Sequence, residues 1–178
     1  MKRELLIAGT ALLTSGLSMF AWADKAPDST AAKNLPGFIL LNHFSEAKFA
    51  TVPGLPECTK MVGLHGDPSK GPSTLMVRMD GGCAATYHWH SANEEMIILQ
   101  GTAKAQIDGQ GTYVLKTGSY MVLPAKIKHR FKCISKKPCI LSDGADAPFD
   151  VHNVDESGKE ISAEDAIHAA ADPASLKW

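Results

Sequence analysis

The chain has 178 residues, 44% hydrophobic and 21% charged, which suits a single globular domain and excludes a disordered chain, a collagen or a coiled coil. Its 18 basic and 19 acidic residues leave a net charge of −1, so no basic excess drives binding to a phosphate backbone. Aromatic residues make up only 7%, poor material for stacking bases, and no nucleic-acid partner is expected.

Residues 1–23 are set apart from the fold. Lys2 and Arg3 precede an apolar run over residues 5–20, and Ala21-Trp22-Ala23 is an A-x-A site followed by a charged, Pro-containing segment. This is the layout of a secretory signal peptide cut after Ala23, with the short basic start of a bacterial one. The run is short for a membrane span and rich in Gly, Ser and Thr, so no stable membrane insertion is expected after cleavage. A periplasmic or secreted protein of 155 residues with net charge −2 follows.

Residues 24–60 read as an N-terminal arm with the first strands, including a candidate strand at residues 38–41. From Met61 the pattern changes, and residues 61–155 read as a β-barrel or sandwich. Short runs rich in Val, Ile, Leu, Tyr and Phe lie at residues 74–79, 87–90, 96–99, 103–107, 112–115, 120–123, 128–134 and 139–141. Asp80-Gly81-Gly82, Asp108-Gly109 and Lys116-Thr117-Gly118 punctuate them as turns. Many short strands at close spacing predict an all-β fold. Residues 156–178 form a polar tail, with a short helix predicted over residues 163–171.

Four cysteines, Cys58, Cys83, Cys133 and Cys139, lie in the mature part. An oxidising compartment allows two disulfides. Cys133 and Cys139 flank a credible turn, Ile134 to Pro138, which leaves Cys58 and Cys83 as the other pair. Four buried free thiols are the competing reading.

The chemistry concentrates in one constellation. Within a strand His88 and His90 face the same side, about 6–7 Å apart along the backbone. Glu94 lies past a tight turn and could return on an adjoining strand, and His129 could add a third imidazole from across the barrel. Three imidazoles and a carboxylate suit a divalent transition metal and leave positions open for water, substrate or oxygen.

Gly82, His88, His90, Glu94 and Gly101 reproduce the first motif of the cupin superfamily with every spacing intact, and the chain resembles that superfamily over about residues 73–142. In the second motif Gly118, Pro124 and His129 match, while Lys126 stands where the family has Gly and Cys133 where it has Asn. Gly66-Asp67-Pro68-Ser69 is similar to an element of some single-domain cupins. The resemblance implies a single jelly-roll barrel and a possible homodimer through the arms, with the N-terminal arm and the short helical tail read above flanking the barrel. It also implies a metal held by His88, His90, Glu94 and His129, with Fe, Mn, Zn, Ni or Cu all open. The fold itself does not select a reaction.

The six-residue gap to Gly101 favours Glu94 over Glu95 as ligand, and Glu94 is also the candidate catalytic proton acceptor. Trp89 should face away from the imidazoles, as should Arg130. Tyr87, Tyr113, Tyr120 and Phe131 are candidates for the pocket wall or for core packing. His43, His65, His152 and His168 read as surface or structural residues. A metal-dependent enzyme of dioxygenase type acting on a small molecule is the leading functional expectation. The alternatives are a non-catalytic binder of a small, sugar-like ligand, and a metal-dependent lyase or isomerase.

Overall fold

The computed structural model describes residues 39–172 and residue 178. The signal-peptide reading, residues 24–38 of the arm and residues 173–177 of the tail lie outside the described residues. Among the described residues no helix is long and apolar enough to cross a membrane.

Among the described residues the alternation of apolar and polar residues is realised as eleven strands: β1 (Ala50–Thr51), β2 (Thr59–Gly66), β3 (Ser73–Met79), β4 (Ala84–Trp89), β5 (Glu94–Gln100), β6 (Thr102–Ile107), β7 (Gly111–Lys116), β8 (Tyr120–Leu123), β9 (His129–Cys133), β10 (Cys139–Ala145) and β11 (His152–Asn153). One helix, α1 (Ala163–Ala171), follows. Its Ser162 N-cap accepts from the Asp165 amide, which satisfies an otherwise orphaned donor. The candidate strand at residues 38–41 does not form. Ile39 and Leu40 are exposed and have no strand partner, so their apolar character alone does not order them. Phe38 lies outside the described residues.

The strands make two antiparallel sheets, β1-β2-β3-β10-β5-β8 and β11-β4-β9-β6-β7. Non-consecutive neighbours such as β3 and β10 mark crossovers between the sheets, and the result is a cupin-type jelly roll. Val77 and Met79 of β3, Met96 and Ile98 of β5, Ala103 and Ala105 of β6, Phe131 of β9 and Leu141 of β10 point between the sheets and form the core. Small alanines on β6 face the larger methionine and phenylalanine side chains, which lets the two layers close.

Both cysteine pairs are disulfides, Cys58–Cys83 and Cys133–Cys139. Each joins one sheet to the other. Cys58 precedes β2 and Cys83 precedes β4, whereas Cys133 ends β9 and Cys139 begins β10. The Cys83 and Cys133 backbones are also hydrogen-bonded, so the two bridges clamp the same end of the barrel.

Gly82, Gly101 and Gly118 all take positive φ, at 89°, 90° and 87°. At Gly101 a side chain would also strike Cys139, whose Cα would lie 3.0 Å from the added Cβ. Lys126 has a φ of 65°, the one non-Gly residue with positive φ among the described residues. It stands where the second motif carries glycine, so the loop keeps the left-handed turn and a lysine bears the strain. Relief of about 1–2 kcal/mol, offset in part by the larger entropy glycine loses on folding, predicts that Lys126→Gly stabilises the protein by about 0.5–1 kcal/mol. Urea unfolding reads this as a raised midpoint; an unchanged or lowered midpoint contradicts it.

Candidate functional site

The barrel end opposite the disulfides holds the histidines. In β4 and β9, Ala85 pairs with Phe131 and His88 with His129, so three residues of β4 are spanned by two of β9. This bulge reverses the facing of β4 part-way along its length. Upstream Ala85 faces inward; beyond the bulge His88 faces inward and Tyr87 and Trp89 face out. His90, just past the strand, follows His88 into the same cavity. His129 enters from β9, two residues before Phe131 on the same face.

The ligating-type nitrogens of His88, His90 and His129 lie within 4.8 Å of one another, and this cluster could hold a metal ion. Glu94 opens β5 on the inward phase with Met96 and Ile98 and is 5% exposed, while Glu95 points to solvent. Glu94 Oε2 is 3.3 Å from His129 Nε2 and 3.7 Å from His90 Nε2. All four sequence candidates therefore meet in one place.

The hydrogen bonds fix the state of each imidazole. His88 Nδ1 donates to the Thr86 carbonyl at 2.7 Å, His129 Nδ1 to the Ile127 carbonyl at 3.0 Å, and His90 Nδ1 to the Asp150 carbonyl. A carbonyl can only accept, so in neutral imidazoles the proton sits on Nδ1 and the Nε2 lone pair is bare. These lone pairs and the Glu94 carboxylate face one another. His90 Nε2 and Glu94 Oε2 are buried without a hydrogen-bond partner. The Nε2 lone pairs and the carboxylate, acceptors in van der Waals proximity, are the arrangement a cation relieves, so the residues present fit a divalent metal.

Burial above all, then the charges of His129 and His90, hold His88 well below the ordinary imidazole range, and burial lowers His90 as well. Burial alone would raise Glu94, but the closeness of His129, and the positive charge the neighbouring imidazoles carry when protonated, outweigh that and bring it to about 2. For His88 and His90, unfolded chains take up protons that the folded site refuses once the pH falls below about 6.5. Metal-free Asp143→Asn protein, which lacks a buried carboxyl whose raised pKa acts with the opposite sign, is therefore expected to be at full stability above that pH and to lose stability below it. Melting curves in chelator across this range check the sign, and a melting temperature that rises on acidification contradicts it.

Asp143 is the residue the sequence reading missed. It lies on the inward phase of β10 with Leu141 and Ala145, is 4% exposed, and lines the same cavity. Burial first, and then the neighbouring Glu94 charge, push its carboxyl well above the usual range, which favours the neutral acid. An acid on the buried phase of an apolar strand was the available signal.

Loops tie the open end together. Asn93 receives the Ala125 amide at 2.9 Å and gives its own amide to Asp146 at 2.9 Å. The Lys126 amide donates to the His90 carbonyl at 2.8 Å. The Ser91 amide donates to Asp150 at 2.7 Å, and Phe149 stacks on the His90 ring with centroids 4.4 Å apart. On the outer face Trp89 stacks flat on His152, 3.8 Å between centroids. Arg130 faces away from the cluster, bonded to Gln106 and Glu156 beneath the Tyr87 and Trp178 rings. Of the aromatic candidates only Phe131 lines the cavity. Tyr87 is packed against Lys128 and Arg130. Tyr113 and Tyr120 are neither wall nor core; at 46% and 58% exposed they lie on β7 and on the sheet-edge strand β8.

A two-sheet jelly roll with inward histidines and a glutamate at one mouth defines the cupin class. The Cupin domain family matches residues 75–151, and the barrel of this chain is a cupin domain. No curated protein sequence matches significantly. Among solved structures, the polyketide cyclase RemF from Streptomyces resistomycificus is similar with 20% identity and a TM-score of 0.60, over 78% of this chain and 99% of that one. KdgF from Halomonas sp. is similar with 17% identity and a TM-score of 0.51, over 62% of this chain and 94% of that one. The cupin domain of Schizosaccharomyces pombe Cnp3 is similar with 15% identity and a TM-score of 0.51, over 59% and 72%. These likenesses establish the fold.

Proposed function

We propose that the protein is a metal-dependent enzyme acting on a small molecule, in which His88, His90, Glu94 and His129 hold one divalent transition metal. The observation that carries this reading is the convergence of bare Nε2 atoms on a buried carboxylate, with every Nδ1 anchored to a backbone carbonyl. A divalent ion held by this set would supply Lewis-acid chemistry and could bind substrate and oxygen, which supports a reaction of dioxygenase type. The anchored imidazoles keep their rings oriented, Glu94 is available to accept a proton at Oε2, and the apolar walls exclude bulk water. The signal-like residues 1–23 and the two disulfides support a periplasmic or secreted location.

Oxygen consumption by metal-loaded protein over a panel of small phenols and thiols tests the reaction type. Metal-dependent uptake supports the dioxygenase reading. Substrate turnover without oxygen uptake moves the assignment to a lyase or isomerase using the same residues.

A further inference from the structure

His90 differs from the other two imidazoles in how it is held. His88 and His129 each bond the carbonyl two residues upstream, so β4 and β9 orient them locally. His90 lies one residue past the end of β4, and its Nδ1 bonds no carbonyl of that strand. Its ring is held by residues 149 and 150, in the segment that joins β10 to β11. The Phe149 ring stacks on it, with centroids 4.4 Å apart and planes inclined at 25°. The Asp150 carbonyl accepts from Nδ1, and the Asp150 carboxylate accepts from the neighbouring Ser91 amide at 2.7 Å. A stack fixes the plane of the ring, and a hydrogen bond fixes its direction within that plane. Together they set where the Nε2 lone pair points.

This segment is braced in turn by the loop between β2 and β3. The Phe149 amide donates to the Pro68 carbonyl at 2.8 Å. Pro68 belongs to Gly66-Asp67-Pro68-Ser69, an element outside both histidine motifs and without a role in the site described so far. The element forms a tight, self-bonded turn. The Asp67 carboxylate accepts from the Ser69 amide at 3.0 Å and from the Ser69 hydroxyl at 2.7 Å, and it pairs with Lys70. The Asp67 carbonyl accepts the Lys70 and Gly71 amides at 2.9 and 3.1 Å. A side chain on Gly66 would strike the Pro72 carbonyl. Proline fixes its own φ, so the direction of the Pro68 carbonyl is set by the turn. Four of these residues thus form a rigid bracket whose outward acceptor meets the residue that covers His90.

We propose that the turn at residues 66–71 and Phe149 form a positioning device for His90: the turn holds the Phe149 backbone, and the Phe149 ring with the Asp150 carbonyl aims the His90 Nε2 toward Glu94 and the ion the cluster would hold. Phe149 is a positioning residue, and Asp67 acts on the same imidazole from outside the cavity. This deepens the proposed function and rests on it only for the presence of the metal.

Nitrogen-15 NMR of the histidine rings tests the device without any metal. At mildly alkaline pH each neutral imidazole reports its own tautomer, and wild-type His88, His90 and His129 should all carry the proton on Nδ1. Phe149→Ala and Phe149→Leu should each turn His90 into a mixture of tautomers while His88 and His129 stay as they are. Phe149→Tyr, which keeps the ring, should match the wild type. Asp67→Ala should move His90 in the same direction by a smaller amount. The leucine variant retains apolar bulk, so it carries the test if the alanine variant fails to fold. A merely structural role would disturb all three imidazoles alike. That result, or an unmoved His90 in the Phe149 variants, overturns the inference, and an unmoved His90 in Asp67→Ala overturns the part given to the turn. In Co(II)-loaded protein Phe149→Ala should weaken Co(II) by about tenfold and shift its visible bands, with Phe149→Tyr restoring both. Wild-type affinity and bands in Phe149→Ala contradict the positioning role. Failure of the wild type to bind Co(II) contradicts the proposed function instead, and the tautomers of the metal-free protein still decide the inference.

Discussion

His129→Ala is expected to lower affinity for a divalent transition metal by on the order of 10²–10³-fold, the share of one ligand in a four-ligand site. His129 is the imidazole that comes from the second strand, and the one closest to the Glu94 carboxylate, at 3.3 Å. Its loss removes a donor and also exposes Glu94 to an unfilled space. Competition against a chromophoric chelator measures the change directly. Glu94→Gln should lose affinity in the same direction, whereas Glu95→Gln, on the solvent side of β5, should leave it unaltered. Equal affinity in wild type and His129→Ala, or an equal loss in the two glutamate variants, contradicts the assignment. Folding is checked in the same samples, because the barrel core does not depend on His129 for its packing.

The second large effect lies at the other end of the barrel. Loop-closure entropy gives about 3.5 kcal/mol for the Cys58–Cys83 bridge, whose separation is 25 residues, and about 2 kcal/mol for Cys133–Cys139, separated by 6. Cys58→Ala with Cys83→Ala is therefore expected to lower the melting temperature by roughly 10–15 °C, and the Cys133 and Cys139 pair by roughly half that. Both values are comparable to a large part of the total stability of a domain this size. The bridges clamp the end away from the histidines, so metal affinity of the folded fraction should be preserved in either double variant. Scanning calorimetry with and without reductant checks the stability change. A melting temperature insensitive to reductant would show that the bridges do not constrain the chain.

Much of the site was legible because it depends on short-range geometry. The one-residue interval between His88 and His90 puts both on one side of a strand, and the spacing to Gly101 selects Glu94. The paired structure adds that Glu94 shares the inward phase of Met96 and Ile98. What strict alternation does not contain is the bulge between Ala85 and His88, which turns the histidine side toward the core instead of the Tyr87 side. The carbonyl partners of the imidazoles were equally hidden. Two lie two residues upstream, at Thr86 and Ile127, but the third, at Asp150, is brought in by a loop sixty residues away. Asp143 sits just beyond the short apolar run that marks β10 in the sequence, and continuing the alternation past Leu141 is the signal that places it inward. The run at residues 38–41 misleads in the opposite way, because apolar side chains order a segment only when a partner surface covers them. At Lys126 the chain departs from the motif's glycine. The backbone retains the left-handed turn, held by the Lys126 amide on the His90 carbonyl.

The metal content of tag-free mature protein, measured beside His88→Ala, tests the central claim most directly. The account predicts close to one equivalent of a divalent transition metal per chain in the wild type and its loss in a variant that remains folded. Wild-type protein that is folded, metal-free and unable to take up Fe(II), Mn(II), Co(II), Ni(II), Cu(II) or Zn(II) on reconstitution would contradict it.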